Sequence, residues 1–280
     1  MIIVHSYYTR GMHELAKVFV ESFCYFHIEN EVPLLITALG ITAEQRRELV
    51  DLYPFIGLSV RQMPMKKWAL ECGVPVAKLK KWRREIEGDY VTKENKAWKL
   101  LTAGGDRVHE VRRLVDTLRP HRHPTSSAHT EPDMLVHFDI DTLFRKSVIP
   151  IETEMNGYDV GLKLRRRINP IKARITIDMM AIRRTPNAML WLELWTAIIN
   201  GVHPLEKPQG FGQSSCWQAF TEAEAKGLTA LSLHLKYGLP GRNRDDNIVW
   251  NGNVHKLKKD DCVAYFREEL DRLRGANARG

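Results

Sequence analysis

The stretch MLVHFDIDTLF, Met134–Phe144, ends an apolar run in two carboxylates, Asp139 and Asp141, with one residue between them. Residues two apart in extended chain point to the same side, so both carboxylates can face one bound group. Two hard oxygen donors suit Mg²⁺ or Mn²⁺ and leave coordination positions open for phosphate oxygens. The plainer alternative is that one aspartate caps the next turn and the other is solvated. The spacing alone does not separate the two readings.

The flanking elements say where such a pair would sit. Ile2–Tyr8 reads as a β-branched, aromatic strand, and HELAKVFVESFCYFH follows with Leu15, Val18, Phe19, Ser22, Phe23 and Phe26 at helical spacing. VPLLITALG is a second strand. TAEQRRELVDLYP is a short helix that Thr42 caps, with Gln45 completing a capping box, and GLSVRQM is a third strand. Strand and helix alternating from the start predict an α/β fold, a mostly parallel, Rossmann-like sheet with helices on its faces. DRVHEVRRLVDTLRP is a long helix with Val108, Val111, Leu114, Val115 and Leu118 as its inner stripe. Beyond Met134–Phe144, YDVGLKLRR and KARITIDMMAIRRT read as strands and PNAMLWLELWTAIIN as a helix with Pro186 at its first turn. GFGQSSCWQAFTEAEAKG is a Gly-rich turn entering a helix, NIVWNGNVHKLKKD a strand running into a loop, and DCVAYFREELDRLRG a closing amphipathic helix. Ligands collect at the carboxyl ends of strands in such sheets, which is where Asp139 and Asp141 would stand.

The chain of 280 residues is 44% hydrophobic and 27% charged, enough apolar material for a sizeable core. No apolar run approaches a membrane span, and no leader is visible. The four cysteines form no CxxC, which argues against a zinc cluster and for a reduced, cytoplasmic setting. The formal net charge is +8. From Lys66 to Arg84 seven basic residues face one acid, Glu71, and a second cluster covers Lys163–Arg167. Such a balance suits polyanionic partners: nucleic acid, anionic membrane or phosphorylated substrates.

Met134–Phe144 resembles the strand and DxD element of the GT-A glycosyltransferases, the nucleotide-sugar-dependent class. ITIDMMAIRRTPNAMLWLELWTAII is similar to the segment that shapes that class's acceptor side. FGQSSCWQAF resembles its D-Q turn, with Gly212 where an Asp often stands, and IVWNGNVHKLKKD its C-terminal strand and loop. The resemblance covers most of the chain, excluding 64–101. It implies a single GT-A-like catalytic domain over 1–280 that moves a sugar from a nucleotide-sugar donor, a UDP-sugar first, to a hydroxyl. It implies Mn²⁺ or Mg²⁺ on Asp141, with Asp139 on metal or ribose, His255 as a third ligand, and Lys256 and Lys258 on the diphosphate. The plainer readings are an ordinary loop histidine and a solvated basic turn. An inverting transferase needs a carboxylate base, for which Asp178 and Glu193 are candidates. Gln213 alone suits a retaining reaction.

Residues 64–101 break the rhythm: helical, basic and rich in tryptophan. Met65–Gly88 resembles a helix-turn-helix, with Ala69 between helices, Gly73 at the turn, and Leu79 and Trp82 packed inward. Its second helix would offer Lys78, Lys80, Lys81, Arg83 and Arg84 to a DNA groove or backbone. The alternative is a helical insertion with a solvated basic face. Joined to a nucleotide-sugar site, the first reading points to a hydroxylated base in DNA as acceptor, a chemistry of viral enzymes. That would place the protein in a host cytoplasm. A protein, lipid-linked or small-molecule acceptor is the second possibility, and a DNA-binding protein on an inactive GT-A scaffold is the third.

Overall fold

β-Branched and aromatic residues set the first strand, β1 (Ile2–Thr9). A 3-10 turn leads into helix α1 (His13–Phe26). The computed structural model describes residues 1–27, 31–61, 106–118, 132–164, 175–202, 211–233, 237, 247–251 and 259–277. The basic insertion read over 64–101 lies outside them. After α1 come β2 (Leu34–Leu39), α2 (Ala43–Leu52) and β3 (Gly57–Arg61). The capping box read at Thr42 is present: the Gln45 amide donates to the Thr42 hydroxyl, and the Thr42 amide donates to the Gln45 side chain. The described chain resumes with α3 (Asp106–Thr117), β4 (Met134–Asp139), β5 (Thr142–Phe144), α4 (Pro150–Glu154), β6 (Val160–Leu164) and β7 (Ile175–Arg183). It ends with α5 (Pro186–Asn200), α6 (Phe211–Glu224), β8 (Ala230–Ser232), β9 (Val249–Asn251) and α7 (Lys259–Asn277).

One mixed sheet organises these elements, in the order β3-β2-β1-β4-β7-β6-β8. The four strands from β3 to β4 are parallel, as the strand-helix alternation predicts. β7 runs against both β4 and β6, and β8 runs with β6. The reversal has a simple cause. Only residues 165–174 separate β6 from β7, too few for a helical crossover, so the chain must turn straight back. The β6–β7 register jumps from Leu162 opposite Met180 to Lys163 opposite Thr176. Ile177, Asp178 and Met179 therefore form a bulge in β7, a device that re-aims side chains beside functional sites.

Alternation divides the core. Val4, Leu34, Ile36, Val136 and Phe138 pack toward α1 and α2. Leu135, Met180 and Ile182 pack toward α3, α5 and α6, where the stacked pair Trp191 and Trp195 fills the centre. All five residues of the stripe read for α3 are buried.

A second, two-stranded sheet pairs β5 with β9 in antiparallel fashion, setting Thr142 opposite Asn251. Two buried polar groups of the α1 segment fasten the chain just after Asp141. The Phe144 amide donates to Ser22 Oγ at 3.2 Å, and the Val148 amide donates to His27 Nε2 at 3.1 Å. Replacing Ser22 by Ala leaves a buried amide without its acceptor. The expected cost is about 1–3 kcal/mol. In urea unfolding the midpoint should fall while the slope is unchanged.

Candidate active site

β4 lies at the middle of the sheet and is buried along its length until Asp139. Ile140 and Asp141 form a turn, and β5 begins at Thr142. The two carboxylates are therefore not paired by strand alternation, contrary to the sequence expectation: the strand ends at the first of them. They meet instead around shared counter-charges.

Arg107, on the first turn of α3, ion-pairs with Asp139. Its guanidinium is strongly desolvated, and Asp141, Asp178 and Tyr7 offset part of that cost by their charges. Asp178, in the β7 bulge, is bound by Lys163 Nζ at 2.7 Å. Burial opposes charge on Asp178, but the charge and hydrogen bond of Lys163, with further hydrogen bonds from Thr176 and the backbone, together hold the carboxyl below its usual range. Asp141 goes the other way. Burial, then repulsion from Asp178, pushes it up to about 6 despite Arg107 and Lys163. Three carboxylates thus converge on two cations, and Asp141 carries the charge least compensated. Oδ1 of Asp178 is buried without a hydrogen-bond partner among the described residues.

These properties fit a hard cation on Asp139 and Asp141: oxygen donors, and an anion that its surroundings under-compensate. Among the described residues no third His, Cys, Asp or Glu atom gathers with them within 4.8 Å. The one such group, His13, Glu14 and Glu48, is knit together by Lys17 and by the Tyr8 hydroxyl. The expected third ligand, His255, lies outside the described residues, with Lys256 and Lys258. Asn251, four positions before His255, is pinned opposite Thr142, the residue after Asp141. Lys78, Lys80, Lys81, Arg83 and Arg84 also lie outside.

The candidate bases separate. Asp178 stands in the cluster. Glu193 sits on the outer side of α5, more than half exposed, bonded to Arg112 of α3 at 2.9 Å. Its surface pair leaves it apart from the acid cluster. Gly212 and Gln213 belong to the first turn of α6 rather than to a turn before it. A Cβ built on Gly212 would meet Ile177 Cδ1 at 3.6 Å, so this helix end rests against the residue preceding Asp178.

Sequence reading missed Arg107 and Lys163. Arg107 lies on the same helical stripe as Val111, Leu114 and Leu118, at spacings of four, seven and eleven. A charge on an inward stripe is the signal that would have found it. Beneath α3 lies a further polar row that was not anticipated: His5 on β1, His137 on β4 and Thr37 on β2, with Glu110 of α3. All four are buried.

Two solved structures are among those that align with nearly the whole chain. An active-site mutant of LgtC matches at 13% identity over 99% of this chain and 96% of that one, with a TM-score of 0.51. The architecture is GT-A. Mouse xyloside xylosyltransferase 1, in its apo form, matches at 10% identity over 92% and 99%, with a TM-score of 0.50. At these identities the likeness is one of fold. No family model and no curated protein matches the sequence. The sheet thus carries Asp139 to the middle of its carboxyl edge, with Asp141 in the turn that follows, and among the described residues no helix is long and apolar enough to cross a membrane.

The position of Asp141 predicts a pH dependence. Its folded pKa, about 6, lies above the ordinary 3.8, so the folded chain holds that proton more tightly than the unfolded one. Stability should fall as pH rises between about 4 and 6 and stay lowered above. Asp141→Asn should be more stable than the parent at pH 7, by up to about 2–3 kcal/mol, and the two should converge below pH 4. Thermal denaturation across pH checks this. A parent that gains stability from pH 4 to 6 relative to the variant contradicts it.

Proposed function

We propose that the protein is a glycosyltransferase that takes a nucleotide sugar as donor and uses a divalent cation held by Asp139 and Asp141. The observation that carries the reading is the cluster at the end of β4: two aspartates, a third at Asp178, and Arg107 and Lys163 beside them, in a GT-A sheet. Breaking a sugar–phosphate bond develops negative charge on the departing nucleoside diphosphate. A site with fixed cations stabilises that charge without reorganising. When bound, the cation would act as a Lewis acid toward the diphosphate. Arg107 and Lys163 add fixed positive charge, and the burial of the cluster strengthens every such interaction. His255, with Lys256 and Lys258, follows from the strand β9 that is paired with the residue after Asp141. We assign His255 to the metal and the lysines to the diphosphate.

The acid–base evidence favours retention of configuration at the transferred carbon. Asp178 is committed to Lys163 and held below its usual pKa, which makes it a weak base. Glu193 is held in its surface pair with Arg112. Gln213, uncharged and on a helix end that rests on the β7 bulge, is the polar group left for the sugar's own face. A UDP-sugar is the favoured donor.

For the acceptor, a hydroxylated base in DNA is favoured by one observation, the basic run from Lys66 to Arg84 within the helix-turn-helix-like segment. Protein, lipid-linked and small-molecule acceptors are outcomes of the same test, as is DNA binding on an inactive scaffold.

Incubation with a panel of nucleotide sugars, Mn²⁺, and hydroxymethylated or plain DNA, read by nucleoside mass spectrometry, tests the whole reading. Asp141→Asn should abolish metal-dependent donor turnover with the fold intact, and Mn²⁺ should raise the Tm of the parent but not of this variant. His255→Ala should raise the Mn²⁺ concentration needed for half-maximal turnover. Wild-type turnover by Asp141→Asn would remove the site assignment.

The DNA arm has its own measurement. If the basic run meets phosphates, duplex affinity should fall with salt at a log–log slope of about −0.9 per phosphate contacted. Changing Lys78, Lys80, Lys81, Arg83 and Arg84 to Gln should flatten that slope while donor hydrolysis survives. A parent that binds no duplex at low salt moves the acceptor to another class.

A further inference from the structure

Helix α7 packs on the small sheet that follows Asp141. Its buried Cys262, Phe266 and Leu270 share an apolar cluster with Leu143 of β5 and Trp250 of β9, and the Trp250 and Phe266 rings lie 4.8 Å apart. Glu269 falls on the same inward stripe, three positions after Phe266 and seven after Cys262, and is buried with them. Its Oε1 stands 2.9 Å from Nη2 of Arg145. Arg272, one turn on, donates to both oxygens of the same carboxylate, at 2.8 and 2.9 Å. Arg145 is the first residue after β5 and the fourth after Asp141. Its amide and that of Lys146 both donate to the Ile248 carbonyl, at 2.9 and 3.1 Å.

Two kinds of ion pair hold α7. Arg267 with Glu14 and Arg274 with Glu21, at 3.1 and 3.7 Å, join it to α1 at the surface, where water screens them and they contribute little. The pair of Arg145 with Glu269 is different, with only 2% and 8% of the two side chains exposed. Burying two charges is costly, and apolar residues of similar volume would fill the space without loss of stability. What the charges add is direction. Leu143 against Phe266 tolerates sliding, whereas a carboxylate gripped by two guanidiniums, one of them in bidentate fashion, fixes a single geometry.

We propose that Arg145 and Glu269 are positioning residues for Asp141: their buried pair fixes the end of β5 on α7 and so sets where the second aspartate of the site stands. β5 is three residues long and the turn before it has no ladder of its own, so the aim of Asp141 depends on what holds the chain just beyond. α7 also borders that turn. Burial, then the charge of Asp141, push the Cys262 thiol up to about 11, which places the start of α7 within reach of the carboxylate. Asp139 is held by the main sheet, and Asp141 is held through β5 from α7.

The pair rests on the proposed metal site only for one of its two measurements. Arg145→Met combined with Glu269→Leu keeps apolar volume and removes both charges, so the double variant should have a Tm no lower than the parent. In metal-free protein, the Arg145 and Lys146 amides should lose hydrogen-exchange protection in this variant while the amides of β1 and β4 keep theirs. Mn²⁺ affinity, read by EPR of the free ion at the site that Asp141→Asn abolishes, should fall roughly 10-fold, as loss of outer-shell support does. A pair that only added stability would lower the Tm and the protection of all amides alike, with the Mn²⁺ affinity of the folded protein unmoved.

A folded double variant that protects both amides as the parent does overturns the assignment, and so does one that loses their protection yet binds Mn²⁺ as tightly as the parent. If the double variant does not fold, native-state exchange of the parent decides. Arg145 and Lys146 should then open in one step with the amides of Phe266 and Leu270, and their opening without α7 overturns the assignment. A parent that binds no Mn²⁺ removes the metal reading, and the exchange result alone decides on the pair.

Discussion

Everything at this site depends on ending a fully buried central strand in negative charge. The carboxylate at the carboxyl end of β4 is only partly exposed and follows five fully buried residues. Desolvating an unpaired carboxylate in such a place is far costlier than a typical side-chain contact can repay. The chain answers with cations from opposite directions. Arg107 arrives on the first turn of α3, and Lys163 arrives where β6 leaves its register with β7. The compensation stays incomplete, because three carboxylates share two cations and Asp141 is pushed up to about 6. An incompletely neutralised acid cluster at a strand end costs stability, and strain of that kind concentrates at functional sites.

The surrounding elements follow from that demand. The turn Ile140–Asp141 has no ladder of its own, so it needs anchors on both sides. β4 supplies one. β5 supplies the other through its pairing with β9 and through the Phe144 amide on Ser22 and the Val148 amide on His27. α1 thereby does two jobs, covering one face of the sheet and gripping the segment after the second aspartate. The β7 bulge has a comparable role for Asp178. Without three unmatched residues, strict alternation would have fixed the aim of Asp178 from its neighbours, and Lys163 would have had a different partner.

What the sequence disclosed tracks periodicity and local bonding. The capping box at Thr42 and Gln45, the stripe of α3 and the Pro186 start of α5 rest on patterns within a dozen residues, and each is present, while the mostly parallel sheet followed from the longer alternation of strand and helix. Asp139 and Asp141 were visible as a pair, but the turn between them was not, because Ile140 looks as much like strand as Phe138 does. β7 was seen as a strand and its reversal was not, since direction depends on the length of the β6–β7 link. His5, His137 and Thr37 escaped because each sits in an apolar-looking strand, and Arg107 and Glu110 because they are two among many charges on α3. The contacts that give them meaning join α3 to three different strands. Charges such as these, read on inward stripes rather than in runs, are where a sequence hides its site.

The same comparison explains why the polar row is made of neutral groups. A buried ionic network is held together by Coulomb attraction, and it would compete with the site for Arg107. Replacing part of it by hydrophobic residues would cost little or even stabilise the fold. Imidazoles and a hydroxyl contribute direction in place of charge. Glu110 and Arg113 pair with each other on α3, and the Thr37 hydroxyl donates to Glu110 from β2. Arg107 is held by its ion pair with Asp139, and the row of neutral groups beneath it brings no further charge to compete for that pair.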